Sequence, residues 1–180
     1  EVEIRVEAAG LNFRDVLNVL DMYPGNPGNP GSEGVGEIVR IGAHVDAYAV
    51  GDRVLVLAPG IFRNYATVSA SKLYRMPERL DPLDAVTIPI AYITAHFSLF
   101  HLGNLKPGER VLIHAAAGGV GLAAVHLAQQ AGAEIFATAG SPQKRAYLNE
   151  LGVRDIYDSR TTHFAEQIAA DTSGAGVDLV

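Results

Sequence analysis

The chain contains no cysteine, which excludes disulfide bonds and thiolate metal sites. It also has no basic stripe: 14 Lys and Arg residues are interspersed among 20 Asp and Glu residues, for a net charge of −6. A nucleic-acid partner is therefore not expected. No apolar run approaches the roughly 20 residues of a membrane span, and there is no signal-peptide pattern. We expect a globular protein of a reducing compartment, the cytoplasm.

The sequence does contain enough apolar residues for a sizeable core, because 48% of its 180 residues are hydrophobic and 19% are charged. Glu1 opens directly into a strand pattern and Val180 falls within an apolar run. We therefore expect the chain to be part of a longer protein.

The first part of the chain has the pattern of a small β-barrel or sandwich. Strict alternation of apolar and charged residues over 1–8 predicts a half-buried strand. Asn12 is placed to cap a short helix, and a Pro- and Gly-rich loop follows at 23–34. The helix has an expected apolar face of Phe13, Val16, Leu17 and Leu20. Short strand-like runs separated by turn residues then follow at 36–41, 53–57, 65–68 and 72–75.

The hydrophobic period changes near Asp81. The residues from Asp81 to Glu109 have a helical pattern, and strands and helices then alternate. This alternation predicts a parallel, doubly wound sheet. Its strands are expected at 110–114, 134–138, 155–157 and 177–180. The chain is therefore predicted to be of the α/β class, with a domain over 1–85 and a second over 86–180.

The turn after the first parallel strand has almost no side chains. In the stretch "HAAAGGVGLAAVHLA", Ala115, Gly118 and Gly121 form a pattern related to the dinucleotide-binding fingerprint. A diphosphate must approach the backbone N–H groups at the start of the following helix. A side chain at 118 or 119 would obstruct it, and Gly121 allows the helix to press against the strand. The alternative is tight packing without a ligand. The predicted cofactor-binding residues here are Ala115, Gly118, Gly119, Val120 and Gly121.

The end of the second parallel strand indicates which dinucleotide is bound. An NAD site usually has Asp or Glu here, but the strand ends in "TAGS". Ser141 is placed to cap the next helix and Lys144 follows in its first turn, where a 2′-phosphate would lie. Arg160 follows the third strand and could reach the same phosphate. These residues favour NADPH; the alternatives are an ordinary capped helix with a solvated Lys144, and a solvated Arg160.

Several segments resemble the enoyl reductase domains of modular polyketide synthases and animal-type fatty acid synthases. The most specific are "LNFRDVL" and "LIHAAAGGVG". These domains belong to the zinc-free, quinone-oxidoreductase-like branch of the medium-chain dehydrogenase/reductase superfamily. The resemblance implies a GroES-like substrate domain over 1–85 and a Rossmann domain over 86–180, both incomplete. It further implies NADPH-dependent reduction of an enoyl thioester on an acyl carrier protein, with neighbouring synthase domains as partners and no metal.

The resemblance also implies roles for residues outside the glycine-rich turn. Tyr23 is implicated as donor of the α-proton, since a phenol can protonate a developing enolate; the alternative is a tyrosine packed on its loop. Asn12 lines the active site or is simply a helix cap, whereas Arg14 and Asp15 could form a surface pair. Thr94 lies on the helix that meets the cofactor near its nicotinamide, or bonds back to a helix carbonyl.

Two other functions stay open. A freestanding NADPH:quinone or enone reductase would share the fold and the cofactor but act on a free small molecule. A nucleotide-binding protein without turnover would bind the cofactor only. The histidines suggest no metal site, because His96 and His101 are five residues apart and cannot share a helical face.

Overall fold

The computed structural model describes all residues from Glu1 to Val180. They form two compact units, Glu1–Pro89 and Ile90–Val180. The first unit contains an antiparallel sheet and the second a parallel sheet. The predicted α/β class is thereby confirmed.

The first unit is built on a five-stranded sheet with the strand order β4-β1-β2-β3-β5. The predicted alternation along β1 is confirmed: Val2 and Ile4 are buried, whereas Arg5 is exposed. Apolar residues from all five strands and from the loop at Ile61 form its core. The strands are β1 (Val2–Gly10), β2 (Glu33–Ile41), β3 (Arg53–Leu57), β4 (Tyr65–Val68) and β5 (Leu73–Arg75), with a 3₁₀ turn at Ala70–Lys72 before the last.

The first helix, α1 (Phe13–Val19), begins after Asn12 as predicted, but its predicted apolar face is wrong. Phe13 is 75% exposed and Leu20 60%, whereas Asp15 is only 2% exposed. The Asp15 carboxylate accepts the N–H of Asn12 at 2.9 Å and that of Gly31 at 2.8 Å. These hydrogen bonds fix which side of the helix faces the unit, and apolar spacing alone does not reveal it.

The predicted long helix after Asp81 is interrupted. It consists of α2 (Pro82–Ala85) and α3 (Pro89–His96), which continues as a π-helical turn over Phe97–Leu102. Pro89 has no N–H with which to extend the first helix.

By length and composition alone, the stretch Pro82–Leu102 is apolar enough to cross a membrane. Polar residues interrupt the stretch, and it is weak support for a span, since the core helix of a soluble protein passes the same test.

The second unit contains the three-stranded parallel sheet β6-β7-β8. The predicted strand at 177–180 is reduced to one bridge, between Leu179 and Val111 of β6. Leu179 lies on the side of β6 opposite to β7, so the chain order reverses at β6. The strands are β6 (Arg110–Ile113), β7 (Glu134–Ala139) and β8 (Asp155–Asp158), and the helices are α4 (Gly119–Ala131), α5 (Pro142–Glu150) and α6 (Phe164–Asp171).

The contact between β8 and α6 includes a buried phenol. The Tyr157 hydroxyl donates to Asp171 at 2.7 Å. Burial, together with this hydrogen bond, raises the pKa of Tyr157 well above its usual value. The pKa of Asp155, at the start of β8, is also raised, by burial and by the negative charge of Asp171.

Replacing Asp15 by alanine should lower the free energy of unfolding by about 2–6 kcal/mol, because two backbone N–H groups lose their acceptor at about 1–3 kcal/mol each. Urea denaturation followed by circular dichroism measures this loss. Asp46→Ala, which removes an exposed carboxylate from the same unit, should change it by less than about 0.5 kcal/mol. Equal unfolding free energies for the two variants would show that the hydrogen bonds of the Asp15 carboxylate do not stabilise the unit.

Candidate functional site

A cleft of about 320 Å³ opens at the carboxyl ends of the three parallel strands. In open α/β sheets, ligands bind at this edge, next to the point where the chain order reverses. The loops after β6, β7 and β8 all contribute to it. The lining residues are Ala115, Ala117, Gly118, Ala139, Gly140, Ser141, Lys144, Ser159 and Arg160.

The glycine-rich turn presents free backbone amides at the start of α4. The N-cap is Gly118, which has no side chain to accept a hydrogen bond from the helix. The N–H groups of Gly119, Val120 and Gly121 therefore lack an intrahelical acceptor. A Cβ added to Gly119 would meet no atom within 4 Å. This open space and the helix dipole suit an anionic group such as a diphosphate.

Gly121 has a different role from the two glycines before it. A Cβ at this position would lie 2.5 Å from the Ala115 carbonyl oxygen and 2.7 Å from Ala116 Cα. These are backbone atoms of the turn, so they cannot move aside as the end of a side chain could. The absence of a side chain at 121 therefore lets α4 lie directly against the turn that leaves β6.

Ala115 takes a backbone conformation that usually belongs to glycine. Its φ is +49°, and its carbonyl accepts the Gly118 N–H at 2.8 Å. The fully buried Thr138 of β7 supports the turn: its carbonyl accepts the Ala116 N–H at 3.0 Å, and its hydroxyl lies 3.1 Å from His114 Nδ1. Sequence reasoning missed Thr138, because one hydroxyl in an apolar strand has no distinctive pattern.

The polar side of the cleft is formed by Ser141, Lys144 and Arg160. The Ser141 hydroxyl accepts the Lys144 N–H at 3.3 Å, so Ser141 is the N-cap of α5, as predicted. Arg160 Nε lies 3.4 Å from the Gly140 carbonyl oxygen. Neither Lys144 nor Arg160 has a carboxylate within 4.0 Å, since every ion pair involves other cations. The structure thus brings these three predicted residues to one cleft, with two unpaired cations.

Four of the predicted cofactor residues lie outside this lining: Gly119, Val120, Gly121 and Thr94. Thr94 is exposed on α3. Val120 is 43% exposed, and only its backbone N–H belongs to the helix start. Neither residue is among those that line the cleft.

In the first unit, Asn12 and Arg14 point to different partners. The Asn12 amide donates to Glu33 at 2.8 Å, and Glu33 is only 4% exposed. The guanidinium carbon of Arg14 lies 5.0 Å from the ring centre of Tyr23, within cation–π range. Arg14 also donates to the Pro27 carbonyl at 3.3 Å. The surface pair suggested for Arg14 and Asp15 is wrong, because the Asp15 carboxylate is buried and bonds to backbone.

Tyr23 is half-buried in the loop between α1 and β2. Its hydroxyl makes no hydrogen bond within the chain, and its ring lies against Arg14. Arg14 also lines an open cleft of about 520 Å³ with residues of this loop and of the end of β3. Tyr23 is therefore held through its ring and not through its hydroxyl.

Two family models match the chain. Residues 1–78 match the alcohol dehydrogenase GroES-like domain, and residues 119–180 match the zinc-binding dehydrogenase family. The residues present do not fit a zinc site, since the chain has no cysteine and no group of three His, Cys, Asp or Glu side chains that could hold a metal ion.

The chain is also similar to characterised proteins over nearly all its length. It is 50% identical over 182 residues to the erythronolide synthase EryA2 of Saccharopolyspora erythraea, covering 100% of this chain and 5% of that protein. The CurK enoyl reductase superposes with a TM-score of 0.93 at 44% identity, over 99% of this chain and 57% of that one. The Escherichia coli quinone oxidoreductase complexed with NADPH superposes at 0.90 and 29% identity, over 98% and 55%.

The fold and these likenesses place the chain in the medium-chain dehydrogenase/reductase family. The chain spans just over half the length of the solved reductases and a small part of the synthase. Within the family it belongs to the enoyl reductase-like domains of polyketide synthases. The resemblance drawn from the sequence is confirmed.

Two alanine substitutions should separate the two kinds of glycine in the turn. Gly121→Ala should destabilise the second unit by more than about 2 kcal/mol, because its Cβ overlaps backbone atoms. Gly119→Ala should leave the unfolding free energy unchanged or raise it by up to about 1 kcal/mol, while weakening coenzyme binding. Thermal unfolding and coenzyme titration measure these effects. A stable Gly121→Ala variant would show that the close approach of α4 is dispensable.

Proposed function

We propose that the protein is an NADPH-dependent enoyl reductase that acts on an α,β-unsaturated acyl thioester carried on an acyl carrier protein. The observation that supports this most directly is the composition of the cleft. Its lining includes Gly118, the N-cap of α4, together with Ser141, Lys144 and Arg160. We further propose that residues 1–85 form the substrate domain and residues 86–180 the coenzyme domain, within a cytoplasmic synthase.

The proposed division of labour in the cleft follows from charge. The N–H groups of Gly119, Val120 and Gly121 donate to the diphosphate, where the helix dipole favours negative charge. The Ser141 hydroxyl, the Lys144 ammonium and the Arg160 guanidinium bind the 2′-phosphate, a group of nearly two negative charges that an acid at this place would repel. NADPH, when bound, supplies the hydride that reduces the β-carbon of the enoyl thioester. Thr94 is proposed to contact the nicotinamide end.

Tyr23 is proposed to donate the proton that the α-carbon takes up. Its hydroxyl has no acceptor within the chain, and Arg14 holds the ring from one face. A phenol is a suitable acid for a developing enolate, which is a strong base. Asn12 is proposed to shape the same site through its hydrogen bond to the buried Glu33.

A freestanding NADPH:quinone or enone reductase is the second candidate. The likeness to the Escherichia coli quinone oxidoreductase favours it, whereas the higher identity to EryA2 favours the synthase. Rates with a crotonyl thioester and with a simple quinone discriminate between the two. Binding of NADPH without turnover of either substrate would exclude both.

Lys144→Ala should raise the KM for NADPH at least about tenfold while changing the KM for NADH by less than about twofold, because only NADPH carries the phosphate that the ammonium contacts. Initial rates of the intact enzyme with both coenzymes measure this. Lys106→Ala removes the same charge from an exposed residue ahead of β6 and should change neither value. An equal rise for both coenzymes in the Lys144 variant would refute the phosphate assignment.

Tyr23→Phe should slow protonation, or scramble the configuration at the α-carbon of a 2-methyl-enoyl thioester, while NADPH oxidation persists. The reason is that the ring remains against Arg14 but its acidic proton is lost. Chiral chromatography of the saturated product gives the ratio of isomers. Tyr74→Phe, at an exposed position, is the control. An unchanged ratio and rate would remove Tyr23 from the mechanism.

A further inference from the structure

The third parallel strand ends in an acid at the edge of the coenzyme cleft. Asp158 is the last residue of β8, and the two residues after it, Ser159 and Arg160, line the cleft. A free carboxylate here would oppose a bound phosphate or attract the cations meant for it. The sequence pattern that favoured NADPH is the lack of an acid at the end of β7. That pattern does not include Asp158, at the end of β8.

Asp158 is paired with an arginine that does not line the cleft. Arg145 Nη1 lies 3.3 Å from Asp158 Oδ2 and donates to the Ala139 carbonyl at 2.9 Å. Arg145 is in the first turns of α5, and its own N–H bonds to the Ser141 carbonyl at 3.1 Å. Its side chain therefore ties the start of α5 to the ends of β7 and β8, with 27% of that side chain exposed.

The second oxygen of Asp158 is also occupied. Oδ1 accepts the backbone N–H of Arg160 at 2.9 Å, so the carboxylate holds the main chain of Arg160 and not its guanidinium. The guanidinium instead lies over Gly140, where an added Cβ would come within 2.7 Å of Nε. Arg160 thus has an acid two residues away and yet has no carboxylate partner for its side chain.

We infer that Arg145 is a positioning residue for coenzyme selectivity: it holds and neutralises Asp158, so that the Arg160 guanidinium stays free for the 2′-phosphate. This inference rests on the proposed preference for NADPH. Without Arg145, the Asp158 carboxylate is free to pair with Arg160 or to repel the phosphate. Arg145 itself does not contact the coenzyme in this scheme.

Binding of 2′,5′-ADP and of 5′-AMP tests the inference without turnover, because the two ligands differ only in the 2′-phosphate. Isothermal titration calorimetry at low ionic strength, where screening is weak, should show that Arg145→Ala weakens 2′,5′-ADP binding about fivefold and leaves 5′-AMP unchanged. The double variant Arg145→Ala with Asp158→Asn should return to within about twofold of the wild type. Arg154→Ala, which removes an exposed charge just before β8, should affect neither ligand.

Three results would overturn the inference alone. Equal weakening of both ligands by Arg145→Ala would indicate a structural role only. Failure of Asp158→Asn to restore binding in the Arg145→Ala background would show that the carboxylate is not the cause. Full 2′,5′-ADP affinity in Arg145→Ala would refute the inference while leaving the proposed NADPH preference standing. By contrast, wild-type protein that binds 2′,5′-ADP no tighter than 5′-AMP would contradict that preference and this role of Arg145 together.

Discussion

The second unit depends on the close approach between the start of α4 and the turn that leaves β6. Position 121 has no room for a side chain, because a Cβ there would lie 2.5 Å from a backbone oxygen of the turn. This contact brings the first amides of the helix to the carboxyl edge of the sheet. The edge is also where the chain order reverses at β6, so the same packing creates both the crevice and its anion donors.

Charge then determines what the crevice can hold. Two cations at its rim lack carboxylate partners, and the one nearby acid, Asp158, is occupied by Arg145 and by a backbone N–H. In the first unit, the buried acid bonds only to backbone. The Asp15 carboxylate accepts hydrogen bonds from two backbone N–H groups, which fixes α1 and the loop that carries Tyr23. Both units thus use an acid to fix a loop, and in neither is that acid left unpaired.

The sequence predicted the parallel sheet, the glycine-rich turn and the cap at Ser141 well, because each depends on local features: a buried run, a missing side chain, a hydroxyl before a proline. Prediction from the sequence failed where contacts between residues far apart in the chain determine the structure. The side of α1 that packs is set by the bond from Asp15 to Gly31, 16 residues further on. Thr138 and Arg145 matter through partners on other elements, which spacing along one element does not reveal.

The most direct test of this account is a crystal structure of the protein with NADPH bound. The account predicts the diphosphate within hydrogen-bond distance of the first amides of α4, and the 2′-phosphate among Ser141, Lys144 and Arg160. A coenzyme bound with its 2′-phosphate turned away from these side chains, or a cleft left without coenzyme, would contradict it.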